Sequence, residues 1–83
     1  AIEVGAAART AAASIIAHDA TAVALDLARS ELALAAAAYR ASPGGGISVK
    51  LARDLYDQAV IDEIAARYAQ VQAQATLDVE LFP

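Results

Sequence analysis

His18 is the single histidine of this chain, and imidazole is the side chain best suited to exchange protons near neutral pH. A general base or a metal ligand needs partners on its own helix face. Asp19 points away from that face, and the positions one turn away are Ser14 and Ala22. Ser14 offers a weak hydrogen bond and no charge. No Glu-x-x-His pattern occurs, which excludes a di-metal bundle built within one chain. His18 therefore reads as an exposed or partly packed imidazole.

The densest carboxylates are Asp62-Glu63 and the pair Asp54 and Asp57. Two carboxylates do acid–base work when burial separates their pKa values, but these have basic neighbours in sequence and read as a solvated face. Serine, histidine and aspartate are all present without the Gly-x-Ser-x-Gly turn that exposes a nucleophile. The run Pro43-Gly44-Gly45-Gly46-Ile47-Ser48-Val49-Lys50 resembles a phosphate loop. In such a loop the lysine directly precedes the hydroxyl at a helix start; here it follows Ser48 by two residues, and the run reads as a turn between helices. Tyr39, Tyr56 and Tyr68 have no basic stripe interleaved with them, so packing is expected rather than base stacking. The expectation is a chain with no catalytic residues, no metal and no cofactor.

The elements that position these residues are bounded by size. Eighty-three residues make one small domain at most, one that buries little of its surface if it stands alone. Hydrophobic residues are 59% of the chain, but 25 of them are alanine, which leaves a thin supply of large apolar side chains. With no cysteine, disulfides and thiolate metal sites are excluded. A net charge of −4 argues against nucleic acid or an anionic membrane as partner. Beginning at Ala1, the sequence reads as processed or cut from something longer. Nothing at its start reads as a signal peptide, and the longest charge-free run, Tyr68–Leu77, is about half of what a bilayer span needs.

The chain divides around Ser42-Pro43-Gly44-Gly45-Gly46, where proline and three glycines end a helix. The composition predicts a single all-α hairpin unit over 1–83, coiled-coil-like and antiparallel: a helix over about 6–41, a turn at 42–47 and a second helix over about 48–75 capped by Ser48. Leu77, Val79 and Leu81 alternate with Asp78 and Glu80, as Ile2 and Val4 do with Glu3, so the ends are expected to be short and extended, with a tail over 76–83.

Apolar residues divide around each helix. Ile16, Val23, Leu27 and Leu34, with Ala20, Ala37 and Ala41 between them, form a seam of heptad spacing. Leu25, Leu32 and Tyr39 form a second line on the opposite side, since Leu25 and Leu27 point about 200° apart. In the second helix Ile61, Ile64, Tyr68 and Val71 make one seam with Ala75. Leu51, Leu55, Ala59, Ala66, Ala69 and Ala73 make another of increasingly small residues. Asp26–Arg29, Arg53–Asp57 and Glu63–Arg67 are spaced for weak pairs along solvated strips. A helix with two apolar lines needs neighbours on both sides, and one hairpin cannot supply them for both helices. A bundle, a helical barrel or another assembly of helices is therefore expected.

In these residues the chain resembles the repeat hairpin of the TolC-family outer-membrane channel proteins. The likeness is carried by Leu27-Ala28-Arg29-Ser30-Glu31-Leu32 and Ala38-Tyr39-Arg40-Ala41, then by Leu51-Ala52, Ala59, Ala66-Arg67-Tyr68 and Leu77. It departs at the turn, where Ser42-Pro43 replaces the usual glycine and Lys50-Leu51 an acidic residue. The resemblance implies a periplasmic or outer-membrane location, a closed helical wall that conducts substrates without catalysis, and homo-oligomers. It also implies a tip, here Arg40, Ala41, Ser42, Pro43, Gly44 and Gly45, that meets a periplasmic adaptor protein of an efflux or secretion pump. The alternative is a small soluble interaction module in which two hairpins pair as a four-helix-bundle homodimer.

Overall fold

The computed structural model describes residues 2–82, with side chains over 4–44 and 48–82. Two long helices make an all-α hairpin: α1 over Ile2–Ala41 and α2 over Gly46–Leu81, joined through Ser42 and a single 3-10 turn, Pro43–Gly45. The helices lie antiparallel in a rod of 61 × 14 × 13 Å.

Continuity of α1 follows from composition. From Ala6 to Ala41 no glycine or proline intervenes, and alanine, leucine, arginine and glutamate carry the best helix propensities. His18-Asp19 and Thr21 do not break it. The helix ends where Pro43 disfavours helical geometry at the preceding residue; the Ser42 amide still donates to the Ala38 carbonyl at 2.9 Å.

Three expectations about boundaries are corrected. The turn is tighter than 42–47, because the glycine run is itself helical: it forms the 3-10 turn and, from Gly46, the first residue of α2. Ser48 consequently sits inside α2 and does not cap it. The ends are not extended over the described residues. α1 begins at Ile2 and α2 continues through the expected tail to Leu81, after which the Phe82 amide donates to the Asp78 carbonyl at 2.8 Å. Alternation over five residues loses to the helical period here because nothing interrupts the helix before Pro83, and Leu77 and Glu80 take up the inward spacing. Ala1 and Pro83 lie outside the described residues.

Gly44 has ordinary negative φ, and a β-carbon built on it would meet nothing within 4 Å. Replacing it by alanine should stabilise the hairpin by about 0.4–1 kcal/mol, through the smaller entropy of the unfolded chain. A chemical-denaturation midpoint that drops instead would show that the tip needs glycine.

The inward positions of α1 run from Val4 to Ala35 in alternating steps of three and four, and those of α2 from Val49 to Glu80 in the same way. This is the a/d pattern of an antiparallel coiled coil. Its content is unusual. The buried residues among those described are Ala7, Ala11, Ala28 and Ala73, and no large side chain joins them. Leu25 and Leu32 face α2 half-buried, and Tyr39, near the tip, stays 42% exposed. Ala59 and Ala52 stand level with Leu25 and Leu32 on α2. Small residues let two helices approach closely but remove little apolar area from water. The rod exposes 5898 Å², about half of the roughly 12,300 Å² expected of an unfolded chain of this mass.

Candidate functional site

Midway along the rod the alanine seam is interrupted by polar side chains. α1 contributes Ser14, His18 and Thr21 at successive inward positions, and α2 contributes Glu63 and Gln70. His18 is the hub. Its Nε2 lies 2.8 Å from Glu63 Oε1 and its Nδ1 lies 2.6 Å from Gln70 Oε1. With Glu63 and Gln70 both presenting oxygens, the arrangement suits the imidazolium, which alone carries two N–H groups. The hydrogen bond to Glu63 is the largest influence holding His18 above its ordinary value of 6.5, the bond to Gln70 the next. Partial burial opposes them, and the negative charges of Glu63 and Asp19 add to them.

Glu63 holds two cations at once. While Oε1 accepts from His18, Oε2 lies 3.6 Å from Arg67 Nη2, one turn along α2. The carboxylate and the imidazole are only 17% and 24% exposed, so this pair is screened less than one on the surface. Ser14 and Thr21 satisfy themselves locally: the Ser14 hydroxyl donates to the Ala11 carbonyl and the Thr21 hydroxyl to the His18 carbonyl, each at 2.7 Å. No buried polar side-chain atom among the described residues lacks a partner.

The position of these residues corrects two readings from the sequence. His18 is not without partners; they come from the other helix. Asp62 and Glu63 do not share a solvated face. Successive helical positions diverge by about 100°, so Asp62 stays exposed, accepting from the Gln58 amide at 2.9 Å, while Glu63 turns into the seam. Asp54 and Asp57 are exposed as expected. The Asp26–Arg29 pair forms at 3.3 Å and Glu63–Arg67 forms as spaced, whereas Arg53 and Asp57 make no ion pair among the described residues.

Chemically, the cluster is a clasp. Both ring nitrogens are held in hydrogen bonds across the seam, and the nearby hydroxyls already donate to backbone carbonyls. Among the described residues no group of three or more histidines, cysteines or carboxylates converges to hold a metal. The concave regions are open grooves along the rod. One of about 410 Å³ runs between the helices and is floored by Ala24, Ala28 and Ala59; one of about 490 Å³ lies on α2 beside Gln70 and Arg67.

The remaining sequence-derived residues lie on the outside. Ile16, Val23 and Leu34 are each 70% exposed. With Leu27 they form a stripe on the edge of α1 facing away from α2, and Ala20, Ala37 and Ala41, also exposed, fill its gaps. Ile61, Ile64, Tyr68 and Val71 form the equivalent stripe on the far edge of α2. Leu51 and Leu55 are exposed as well, so the line of small residues in α2 divides between inside and outside. This outward character also changes the membrane reading. Within Val4–Ala41 an 18-residue window reaches a mean hydropathy of 1.3, so α1 is long and apolar enough to cross a bilayer by length and composition. Counting uncharged runs missed this, because isolated charges interrupt the runs while the apolar residues around them keep the average high. At the tip, Arg40, Ala41, Ser42, Pro43 and Gly44 are exposed, and Gly45 closes the 3-10 turn.

No family model, curated protein or solved structure matches this chain, so its likeness to channel hairpins rests on its own residues alone.

Proposed function

We propose that this chain is a non-catalytic structural hairpin that builds a helical wall together with other helices, in the manner of the periplasmic part of an outer-membrane efflux or secretion channel. One observation carries the reading: pairing α1 with α2 consumes the small, polar seam and leaves the two stripes of large apolar residues uncovered on opposite edges. A folded monomer of 8.5 kDa is expected to expose about 4,700 Å², whereas this rod exposes 5898 Å². The rod thus exposes roughly 1,200 Å² more than a compact monomer of its mass, much of it on the two apolar stripes. In a wall each helix touches two others, which matches a helix with two apolar lines. The exposed tip is then the end available to an adaptor protein. A four-helix-bundle dimer covers one edge of each hairpin and leaves the other bare, which favours the wall.

Solution mass across a concentration series tests this. Light scattering should show species heavier than a dimer that dissociate toward 8.5 kDa on dilution. A mass that stops at the dimer supports the bundle module instead, and a monomer that melts cooperatively at every concentration overturns assembly altogether.

A further inference from the structure

Besides its two edges the hairpin has two long faces, and these differ in kind. The sequence neighbours of an inward residue lie about 100° to either side of it, so the preceding residue turns to one face and the following residue to the other. Antiparallel pairing puts the preceding residues of both helices on the same face. Arg29, Lys50, Arg53 and Arg67 each follow an inward residue. So do Asp19, Asp26, Asp57 and Asp78, and that face mixes both signs. Between Ala6 and Val79, Glu31 and Asp62 are the only charged residues that precede one. The other face is therefore small and apolar, with carboxylates and no cation.

Toward the tip this second face is grooved. Leu27 and Leu34, at the margin of the α1 stripe, form one wall, and Leu51 and Leu55 of α2 form the other; all four are more than half exposed. His18 lies level with the midpoint of Glu63 and Gln70, which sets Leu34 level with Leu51 and Leu27 within one turn of Leu55. Between the walls runs the open groove of about 410 Å³ over Ala24, Ala28 and Ala59. Its charged lining is Glu31 on the α1 side and Asp62 on the α2 side. Glu31 makes no ion pair among the described residues. From Thr21 to Leu34 the groove measures roughly 20 Å at 1.5 Å per residue, enough for about three and a half turns of a docked helix.

We propose that this groove receives one amphipathic helix of another protein, whose apolar ridge lies between the leucines and whose flanks carry lysine or arginine. An alanine floor lets a helix approach closely, and paired leucine walls meet the i, i+3/i+4, i+7 anchors of helix-in-groove binding. Carboxylates on both sides, with no cation on the face, favour a basic helix and repel an acidic one. A second copy of this chain lacks that complementarity. Its α1 stripe brings Asp19 and Asp26, and its α2 stripe brings Asp54, Asp57 and Asp78 beside their cations. The contact uses a face rather than the edges and needs only the hairpin.

The probe is a fluorescent helical peptide of about 21 residues, with leucine and alanine at its a and d positions and lysine flanking them. Its twin carries glutamate for every lysine. By anisotropy with the whole dilute chain, the lysine peptide should bind, and the twin should bind at least about tenfold more weakly. Glu31→Lys with Asp62→Lys should reverse that order. Asp26→Lys with Asp57→Lys makes the same change in net charge on the other face and should leave lysine-peptide affinity nearly unchanged. Leu27→Ala with Leu55→Ala should weaken it by about tenfold or more, with helix content by circular dichroism preserved because both side chains are exposed. Equal effects of the two charge reversals would reduce binding to bulk attraction and overturn the proposal, as would indifference to the leucines or no binding of either peptide. Should the leucine variant instead lower the solution mass below that of the wild type while the lysine peptide still binds, the occupant is a second copy and the proposal falls. Failure of edge assembly reads out separately, as a monomeric wild type, and leaves these affinities unchanged.

Discussion

Leucine in place of Ala73 is expected to destabilise the hairpin by about 1–3 kcal/mol, as overpacking does in a filled core, lowering the melting temperature by roughly 4–8 °C for each kcal/mol lost. Ala73 is one of the four buried side chains among the described residues. The helices approach closely because their contact positions are small, and a branched side chain there must push them apart. Leucine and alanine differ little in helix propensity, so the effect isolates packing between the helices. Ala65→Leu, an exposed position on the same helix, provides the control and should be nearly silent. Equal melting temperatures for the two variants would mean that the alanine seam is not the tight contact described. The same reasoning explains the absence of large side chains inside: the hairpin is held by proximity along its length rather than by a filled core.

Stability should also fall as pH rises through neutrality. His18 is held above its ordinary 6.5, first by the bond to Glu63 and then by that to Gln70. A group whose folded pKa is raised contributes its full stabilisation below the unfolded value and loses it as pH climbs past the folded one. Below about pH 6.5 the imidazolium donates to both helix partners; above its folded pKa it has one N–H left, and one of the two ties across the seam is lost. The groups that bear on it are Asp19 on α1 with Glu63 and Arg67 on α2. Asp19 and Glu63 favour the charged form, while Arg67 competes for Glu63. Urea midpoints measured between about pH 5.5 and 8, where few other side chains titrate, should decline with pH in the wild type and flatten in His18→Gln. A wild-type midpoint independent of pH, or a slope that survives in the variant, would remove the clasp from the account. Glu63→Gln should reduce the slope for a related reason, since a neutral amide holds the imidazolium less strongly than a carboxylate.

Much of this architecture is legible in the residues alone. Pro43 and the glycine run place the reversal, long stretches without helix breakers define the arms, and the separation of Leu25 from Leu27 by about 200° reveals two apolar lines on α1. Helical period shows that a helix has two faces; it does not show which one its neighbour takes. Tertiary pairing decided that the lesser line, Leu25 and Leu32 among alanines, faces α2 and that Ile16, Val23, Leu27 and Leu34 face out. The polar clasp was hidden for a related reason. Ser14 and Ala22, the near neighbours of His18, say little, whereas its real partners lie 45 and 52 residues away, and only the antiparallel register of two rigid helices brings them within hydrogen-bonding distance. Local sequence determines where a helix starts, stops and turns its faces because those depend on bonds a few residues apart; which faces meet depends on contacts between segments far apart in the chain, and these exist only once it has folded back on itself.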